Sequence, residues 1–283
     1  MLFRQSLSSP NGQQTALLLA GTAAVLTTAL LLLRRRLNKS SAKSSGLSAR
    51  GDRLCLPALP YMKGVIDAFT DPFDADTNPG GLVLMAVAEN KLTWDLLKPR
   101  IEQGFTDLPP WTANYGPMQG FPLLLESLSG FVSERFASGR AVDPSELVCG
   151  TGASAILSNV FFALCEPGDA VLIPTPYYSA FDNDLRAFAE LVRVPVELDP
   201  ATHALTAASL DAAYANAVKA TGGRPPRALL LTNPHNPLGR VMPLPELEEV
   251  AAWCEGAHPD FHLVSDEIYA LSVFGDHLPG GGP

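Results

Sequence analysis

The chain has 283 residues, enough for one large domain or two small ones, and a formal net charge of −9 at pH 7. Residues 1–53 hold eight of the 20 Lys and Arg residues and one of the 29 acidic residues, so the remainder carries a net charge of −16, which argues against nucleic acid as a partner. The four cysteines form no Cys-x-x-Cys pair and no Cys/His cluster at zinc spacing, so we predict no metal site.

The first predicted element is an uncharged, apolar stretch of 19 residues, Thr15–Leu33. As a helix it would be about 28 Å long, close to the hydrocarbon thickness of a bilayer. Arg34, Arg35 and Arg36 follow directly, and the positive-inside rule then places the C-terminal body in the cytosol. We therefore predict a single-pass membrane anchor. The alternatives are an organelle-targeting leader and a cleaved signal peptide, either of which would leave a soluble body.

The predicted organisation has four parts. A tail at residues 1–14 precedes the anchor at 15–33, and a basic, Ser-rich linker follows at 34–56. The linker is either a plain solvated segment or one that lies along an anionic membrane surface. The folded body covers residues 57–283.

Two motifs occur early in the body. The first is Ala88-Glu89-Asn90, where local sequence favours a position near a helix N-terminus. The second is Tyr115-Gly116-Pro117-Met118-Gln119-Gly120, whose local interpretation is a Gly-Pro turn with a packed tyrosine. The helix predicted next, Leu123–Phe136, has apolar residues at helical spacing and indicates core packing.

A glycine-containing turn follows. The predicted strand Leu147–Cys149 leads through Gly150-Thr151-Gly152-Ala153-Ser154 into an apolar helix, Ala155–Leu164. Glycines between a strand and a helix leave backbone N–H groups free to face an anion, which the helix dipole also favours. A turn of small residues explains the same pattern locally. The next strand, Ala170–Ile173, ends in Pro174-Thr175-Pro176-Tyr177-Tyr178.

Two motifs near the C-terminal end each follow an apolar run that is typical of a buried parallel strand. The runs and motifs are Ala228–Thr232 with Asn233–Gly239, and Phe261–Val264 with Ser265–Tyr269, separated by a predicted helix at Leu244–Cys254. Strand, helix and strand in this order predict a right-handed βαβ unit. Asn236 and Asp266 would then lie at the carboxyl ends of neighbouring strands, where open α/β sheets bind ligands.

Together these motifs resemble the cofactor site of class I/II (fold-type I) aminotransferases, which use pyridoxal phosphate (PLP), with the 1-aminocyclopropane-1-carboxylate (ACC) synthase branch as the nearest match. The patterns are Asn-Pro-x-Asn-Pro-Leu-Gly at 233–239, Asp-Glu-x-Tyr at 266–269, Tyr-Gly-x-x-Gln-Gly-x-Pro at 115–122 and Pro-x-Pro-x-Tyr at 174–178. The resemblance implies an α/β fold: the three-layer αβα large domain of a PLP transferase, with an incomplete, mostly parallel sheet, here behind a single N-terminal transmembrane helix.

The resemblance also implies residue roles. Asp266 would face the pyridine nitrogen and keep it protonated, since an opposite charge favours the charged form. Asn236 and Tyr269 would hydrogen-bond the phenolic oxygen of the ring. Tyr178 would stack on the ring, with Tyr177 as the second choice, and Ala153 and Ser154 would contact the phosphate. Tyr115 would reach the phosphate in the other subunit of a homodimer. Glu89 would contact the substrate at the mouth of the site.

Two departures from the family pattern matter for function. The family usually has Gln next but one after the glutamate of the first motif, whereas Lys91 stands here and weakens a specific assignment to ACC synthase. The lysine that holds PLP as a Schiff base and the later substrate-clamping arginine have no counterpart, so no catalytic residue is predicted. The lysines of the body are Lys63, Lys91, Lys98 and Lys219. We therefore expect a fragment, a truncated gene model or a pseudoenzyme.

The predicted function is PLP-dependent transamination of an α-amino acid. The second hypothesis is α,γ-elimination of S-adenosylmethionine, as in ACC synthase, and a β-lyase is the third. A hypothesis from another class is an inactive, membrane-tethered remnant that binds a partner or nothing.

Overall fold

The computed structural model describes residues 46–54, 62–85, 89–90, 92–106, 108–137 and 139–274. Its contacts divide the chain into two units, Met1–Leu56 and Pro57–Pro283. The described part of the first unit contains a short helix, α1 (Ala49–Leu54). The elements given below belong to the second unit.

The predicted membrane anchor is contradicted by the structure, which corrects the predicted fold class and the predicted location. Among the described residues, no helix combines the length and the apolar character needed to cross a bilayer. The longest of them have 14 residues, whereas a spanning helix needs about 20. The prediction of a single-pass membrane protein is therefore not retained. The stretch on which it rested, Thr15–Leu33, lies outside the described residues.

A parallel sheet of four strands forms the centre of the second unit. In spatial order the strands are β2 (Val192–Glu197), β1 (Ala170–Thr175), β3 (Ala228–Thr232) and β4 (His262–Asp266). β3 pairs with β4 from Ala228 opposite His262 to Thr232 opposite Asp266. The two strands that carry the C-terminal motifs therefore end side by side.

Seven helices are described in this unit. They are α2 (Met62–Thr70), α3 (Trp94–Thr106), α4 (Pro122–Arg135), α5 (Ala153–Leu164), α6 (Phe181–Ala187), α7 (Ala207–Ala220) and α8 (Leu244–Ala257). The last three each lie between two successive strands, as parallel pairing requires. Short 3₁₀ turns occur at Pro110–Ala113, Pro144–Glu146 and Ala270–Ser272.

Alternate residues of the central strands enter two separate core clusters. Leu172 packs with Leu210 of α7 and Val250 of α8. Val171 packs with Phe161 of α5 and with α6. Because side chains alternate along a strand, the clusters lie on opposite faces of the sheet. The architecture is a helix–sheet–helix sandwich, in which both central strands are buried as parallel strands usually are.

One predicted strand is wrong. Leu147–Cys149 is extended chain without a strand partner in the described residues. The N–H of Cys149 instead donates to the carbonyl oxygen of Gln119 at 2.8 Å. The chain therefore reaches α5 from a loop.

Candidate cofactor site

An open pocket of about 1150 Å³ lies at the carboxyl edge of the sheet. The segments after β1, β3 and β4 and the beginning of α5 contribute its walls. Six of the eight predicted site residues line it: Ala153, Ser154, Tyr178, Asn236, Asp266 and Tyr269. Motifs that are far apart in the sequence thus meet in one cavity.

Asp266 is the last residue of β4 and is half-buried. Its Oδ1 accepts a hydrogen bond from the N–H of Ile268 at 3.2 Å, a local turn that aspartate favours. Its carbonyl oxygen accepts from the N–H of Asn233 at 3.1 Å, which ties the ends of β3 and β4 together. Burial raises the pKa of the Asp266 carboxyl, and the bond from Ile268 opposes that shift. A cation beside this carboxylate would offset its desolvation.

Asn236 lies on the loop after β3. Its Nδ2 donates to the hydroxyl oxygen of Tyr269 at 3.5 Å, near the outer limit for a hydrogen bond. The loop itself is closed by short bonds: Met242 N–H donates to Asn233 Oδ1 at 2.9 Å, and Gly239 N–H donates to the His235 carbonyl at 2.7 Å. The closed loop therefore holds the Asn236 amide beside the Tyr269 hydroxyl. Because the bond between the two groups is long, each can also bind a further oxygen atom.

The start of α5 forms the third wall. Gly152 is the N-cap residue, with a φ of 97° and no side-chain cap bond, so the helix begins at Ala153 and not at Ala155 as predicted. This left-handed φ favours glycine. The first N–H groups of a helix have no partner within it and carry partial positive charge. Ala153 and Ser154 therefore present the partly positive N-terminus of α5 to the pocket.

Two tyrosines line the same pocket. The ring of Tyr178 packs edge-on with Phe181 at 5.5 Å between centroids and is 41% exposed. The hydroxyl of Tyr177 donates to Asp182 at 2.7 Å. The Tyr177 hydroxyl is thus engaged with Asp182, and the ring of Tyr178 is in contact with Phe181.

Asp184 is a pocket residue that the sequence did not reveal. It lies on α6, is 8% exposed and faces the start of α5. Its Oδ2 accepts a hydrogen bond from Ser154 Oγ at 3.2 Å. Burial raises the pKa of the Asp184 carboxyl, the bond from Ser154 lowers it, and the charge of Asp266 raises it further.

Two predicted residues do not line this pocket. Tyr115 is fully exposed between a 3₁₀ turn and α4. Glu89 is exposed in the short described segment 89–90. Their predicted roles, one of which involves a second subunit, stay predictions.

The structure is an αβα sandwich in which a half-buried carboxylate, an amide–hydroxyl pair and a helix N-terminus meet at one edge of the sheet, as in the fold-type I class. Residues 90–280 match the family described as aminotransferase class I and II. The chain belongs to that family, whose members are PLP-dependent enzymes.

The sequence relatives include two plant enzymes. The chain is 38% identical over 226 residues to 1-aminocyclopropane-1-carboxylate synthase 3 of Oryza sativa subsp. japonica, covering 76% of this chain and 48% of that protein. It is 34% identical over 227 residues to 1-aminocyclopropane-1-carboxylate synthase 7 of Arabidopsis thaliana, covering 76% and 50%. The chain thus spans about half the length of the curated relatives it matches.

Among solved structures, a single mutant of the Thermus thermophilus aspartate aminotransferase is similar. It shares 27% identity with a TM-score of 0.59, over 80% of this chain and 54% of that one. This similarity agrees with the αβα architecture. The sequence relatives favour the ACC synthase-like branch of the family.

Proposed function

We propose that this chain, at residues 57–283, is the cofactor-binding part of a PLP-dependent aminotransferase that acts on an α-amino acid. The observation that carries the proposal is the meeting, in one pocket, of Asp266, the Asn236–Tyr269 pair and the start of α5. No two of these lie on the same helix or strand, so their convergence depends on the fold.

The donor set fits PLP. A protonated pyridine nitrogen is the cation that would offset the desolvation of Asp266. Asn236 and Tyr269 each have a polar group able to bind the phenolic oxygen, and Tyr178 has a ring able to stack on the pyridine. When bound, PLP would supply an electron-withdrawing ring at the substrate Cα.

The phosphate would lie at the start of α5. There the backbone N–H groups of Ala153 and Ser154 would face the phosphate, and the helix dipole would contribute about 0.3–1 kcal/mol, as is typical of an exposed helix start. The position of Gly152 supports this placement, since open space surrounds the point where a Cβ would lie. A phosphate oxygen can approach the backbone there without a steric clash.

We further propose a homodimer in which Tyr115 contacts the cofactor phosphate of the other subunit. The full exposure of Tyr115 supports a contact in trans. Helix α3 supports it too, because none of its residues is buried. Its apolar stripe, defined as Trp94, Leu97, Ile101 and Phe105, is 45–67% exposed at each residue. Exposed stripes of this kind mark interaction surfaces.

Glu89 is proposed as a substrate contact at the mouth of the site.

A second candidate reaction is α,γ-elimination of S-adenosylmethionine. The identities of 34% and 38% to two ACC synthases support it as the alternative to transamination. Because this chain has no counterpart of the Schiff-base lysine, the two reactions are compared in a longer chain that supplies one. Release of ACC from S-adenosylmethionine would favour the elimination, whereas formation of a keto acid from an amino acid would indicate transamination.

PLP binding tests the site itself. We expect saturable binding, seen as induced circular dichroism in the cofactor absorption band. Asp266→Ala should weaken it at least tenfold, because the pyridinium loses its counter-charge. Asp260→Ala is the matched control, since this aspartate lies near the start of β4 and its side chain is 74% exposed. Equal binding by both variants would contradict the role of Asp266, and no binding by the unmodified chain would contradict the proposed function.

A further inference from the structure

Asp184 is a buried, charged pocket residue to which the proposed function gives no role. It is 8% exposed, although it lines the cavity. Ser154 Oγ donates to its Oδ2 at 3.2 Å, and Ser158 Oγ donates to its carbonyl oxygen at 3.3 Å. Both serines lie on α5, so these bonds hold α6 against the first two turns of that helix. The carboxyl group of Asp184 therefore lies beside the proposed phosphate position.

The hydrogen-bonding capacity of Ser154 limits what this arrangement can bind. A serine hydroxyl has one proton and donates one hydrogen bond. While Asp184 is ionised, that proton points at its carboxylate, and Ser154 offers only lone pairs to the pocket. A phosphate oxygen is an acceptor too, and it would also meet the negative charge of the carboxylate at short range.

Protonation of Asp184 reverses the direction of the hydrogen bonds. The carboxylic O–H then donates to Ser154 Oγ, and the serine proton becomes available to a phosphate oxygen. We propose that Asp184 is a further residue of the phosphate-binding site, which takes up one proton when a phosphorylated ligand binds and, through Ser154, supplies a hydrogen-bond donor to the phosphate. The proton comes from solvent and adds to a carboxylate oxygen of Asp184. No other covalent bond forms or breaks.

The surroundings of Asp184 favour its neutral form. Among the described residues, the charge that acts on Asp184 is that of Asp266 at the end of β4. Its own helix also carries Asp182, which contacts Tyr177 and Arg193, and Arg186. Asp266 adds negative charge, which raises the pKa of Asp184 beyond the effect of burial. Arg193 is already paired with Asp182. Helix α5, the element across the hydrogen bond, contributes no charged side chain at residues 153–164.

The inference rests on the proposed function, because it requires the cofactor phosphate to lie at the start of α5. Calorimetric titration of the 283-residue chain with PLP, in two buffers of different ionisation enthalpy, measures the protons taken up on binding. We expect the unmodified chain to take up about one proton more than Asp184→Asn, whose amide is a permanent donor to Ser154. Above the pKa of Asp184, the Kd of the unmodified chain should rise about tenfold more per pH unit than that of the variant.

A matched control separates this effect from the loss of any buried carboxylate. Asp169 is also 8% exposed but lies outside the pocket, where it pairs with Arg224 at 2.7 Å. Asp169→Asn should keep the proton uptake of the unmodified chain. Ser154→Ala is a second test that leaves Asp184 in place. It should weaken PLP binding and reduce the extra proton uptake, because the hydrogen-bonded link to the phosphate is lost and only the charge of the phosphate still acts on Asp184.

Two further ligands assign the effect to the phosphate. Inorganic phosphate should show the extra proton, whereas pyridoxal, which has no phosphate, should bind with the same proton count to the unmodified chain and to Asp184→Asn. Equal proton uptake with PLP by those two proteins would overturn the inference and leave the proposed function intact. Failure of PLP to bind the unmodified chain would overturn both.

Discussion

Two regions of the second unit differ in how they bury their apolar side chains. In residues 153–266, helices α5 to α8 cover both faces of the sheet, and β3 is buried along its whole length. In residues 92–136, α3 has no buried residue and α4 has two, Leu125 and Ser129. The first region covers its two central strands with its own helices. The second presents apolar surface that only another surface could cover.

The difference explains where the pocket lies. Asp266 and Asn236 belong to the region of the sheet, where the pairing of β3 with β4 and a closed loop fix their positions. Tyr115 belongs to the exposed region, and its proposed role needs a second copy of the chain. The sheet therefore positions the proposed cofactor residues, whereas the proposed assembly would depend on α3 and α4.

Truncation of a core side chain should give the largest difference in the free energy of unfolding between the two regions. Phe161, on α5, is 0% exposed, and Phe161→Ala should lower the free energy of unfolding by about 3–5 kcal/mol through lost burial and a residual cavity. Phe105→Ala on α3, where the ring is 67% exposed, should change it by about 0.5 kcal/mol or less in the monomer. Urea denaturation at low protein concentration measures both. Similar losses for the two variants would show that α3 packs against the core.

A charge in the apolar stripe of α3 should act on assembly and leave folding unchanged. Ile101→Asp should weaken self-association by about tenfold or more, because it places a carboxylate in an apolar contact. Gln103→Asp adds the same charge to α3 away from the stripe and should leave association unchanged. Sedimentation velocity across a concentration series measures the effect. If Ile101→Asp associates as the unmodified chain does, the stripe is not the interface.

The candidate site could be predicted where local sequence dictates geometry. Apolar runs before Asn236 and Asp266 indicated parallel strands, whose carboxyl ends must share an edge. Asp184 could not be found this way. It ends the polar run Asp182-Asn183-Asp184 on a helix of seven residues, and such a run is typical of a solvated segment. Its burial results from the packing of α6 against α5, which no local pattern records.

The fold was less predictable outside the sheet. Helix α3 was missed because Pro99 and Gly104 interrupt its pattern, and both residues disfavour a helix interior. The strand predicted at Leu147–Cys149 has the right composition but no neighbour to pair with in the described residues. Strand formation depends on a partner, and a single segment carries no information about one.

A threonine-to-alanine substitution, made once in each region, should give a smaller difference in stability. Thr206 caps α7: its side chain accepts from Ser209 N–H at 3.2 Å, and Ser209 Oγ accepts from Thr206 N–H at 3.2 Å. Thr206→Ala should cost about 1 kcal/mol of stability. Thr106→Ala, at the end of α3, removes only a bond from the Thr106 hydroxyl to the Glu102 carbonyl and should change stability by about 0.5 kcal/mol or less. Thermal unfolding compares the two, and an equal cost would contradict the capping role.

The smallest effect concerns the stability that the fold loses when the buried Asp266 carboxyl ionises. Burial raises the pKa of Asp266 from its ordinary value of 3.8, so the folded state holds this proton more tightly than the unfolded state. Ionisation therefore destabilises the unliganded fold as pH rises above about 4, and the penalty is complete once pH exceeds the folded-state pKa. Asp266→Asn should be more stable than the unmodified chain at pH 7 and equally stable near pH 3, in urea titrations without PLP. Asp260→Asn, the exposed control, should show no such gain. A variant that is destabilised at pH 7 would mean that the Asp266 carboxylate is already compensated within the protein, and the site would then have no need of a cationic ligand.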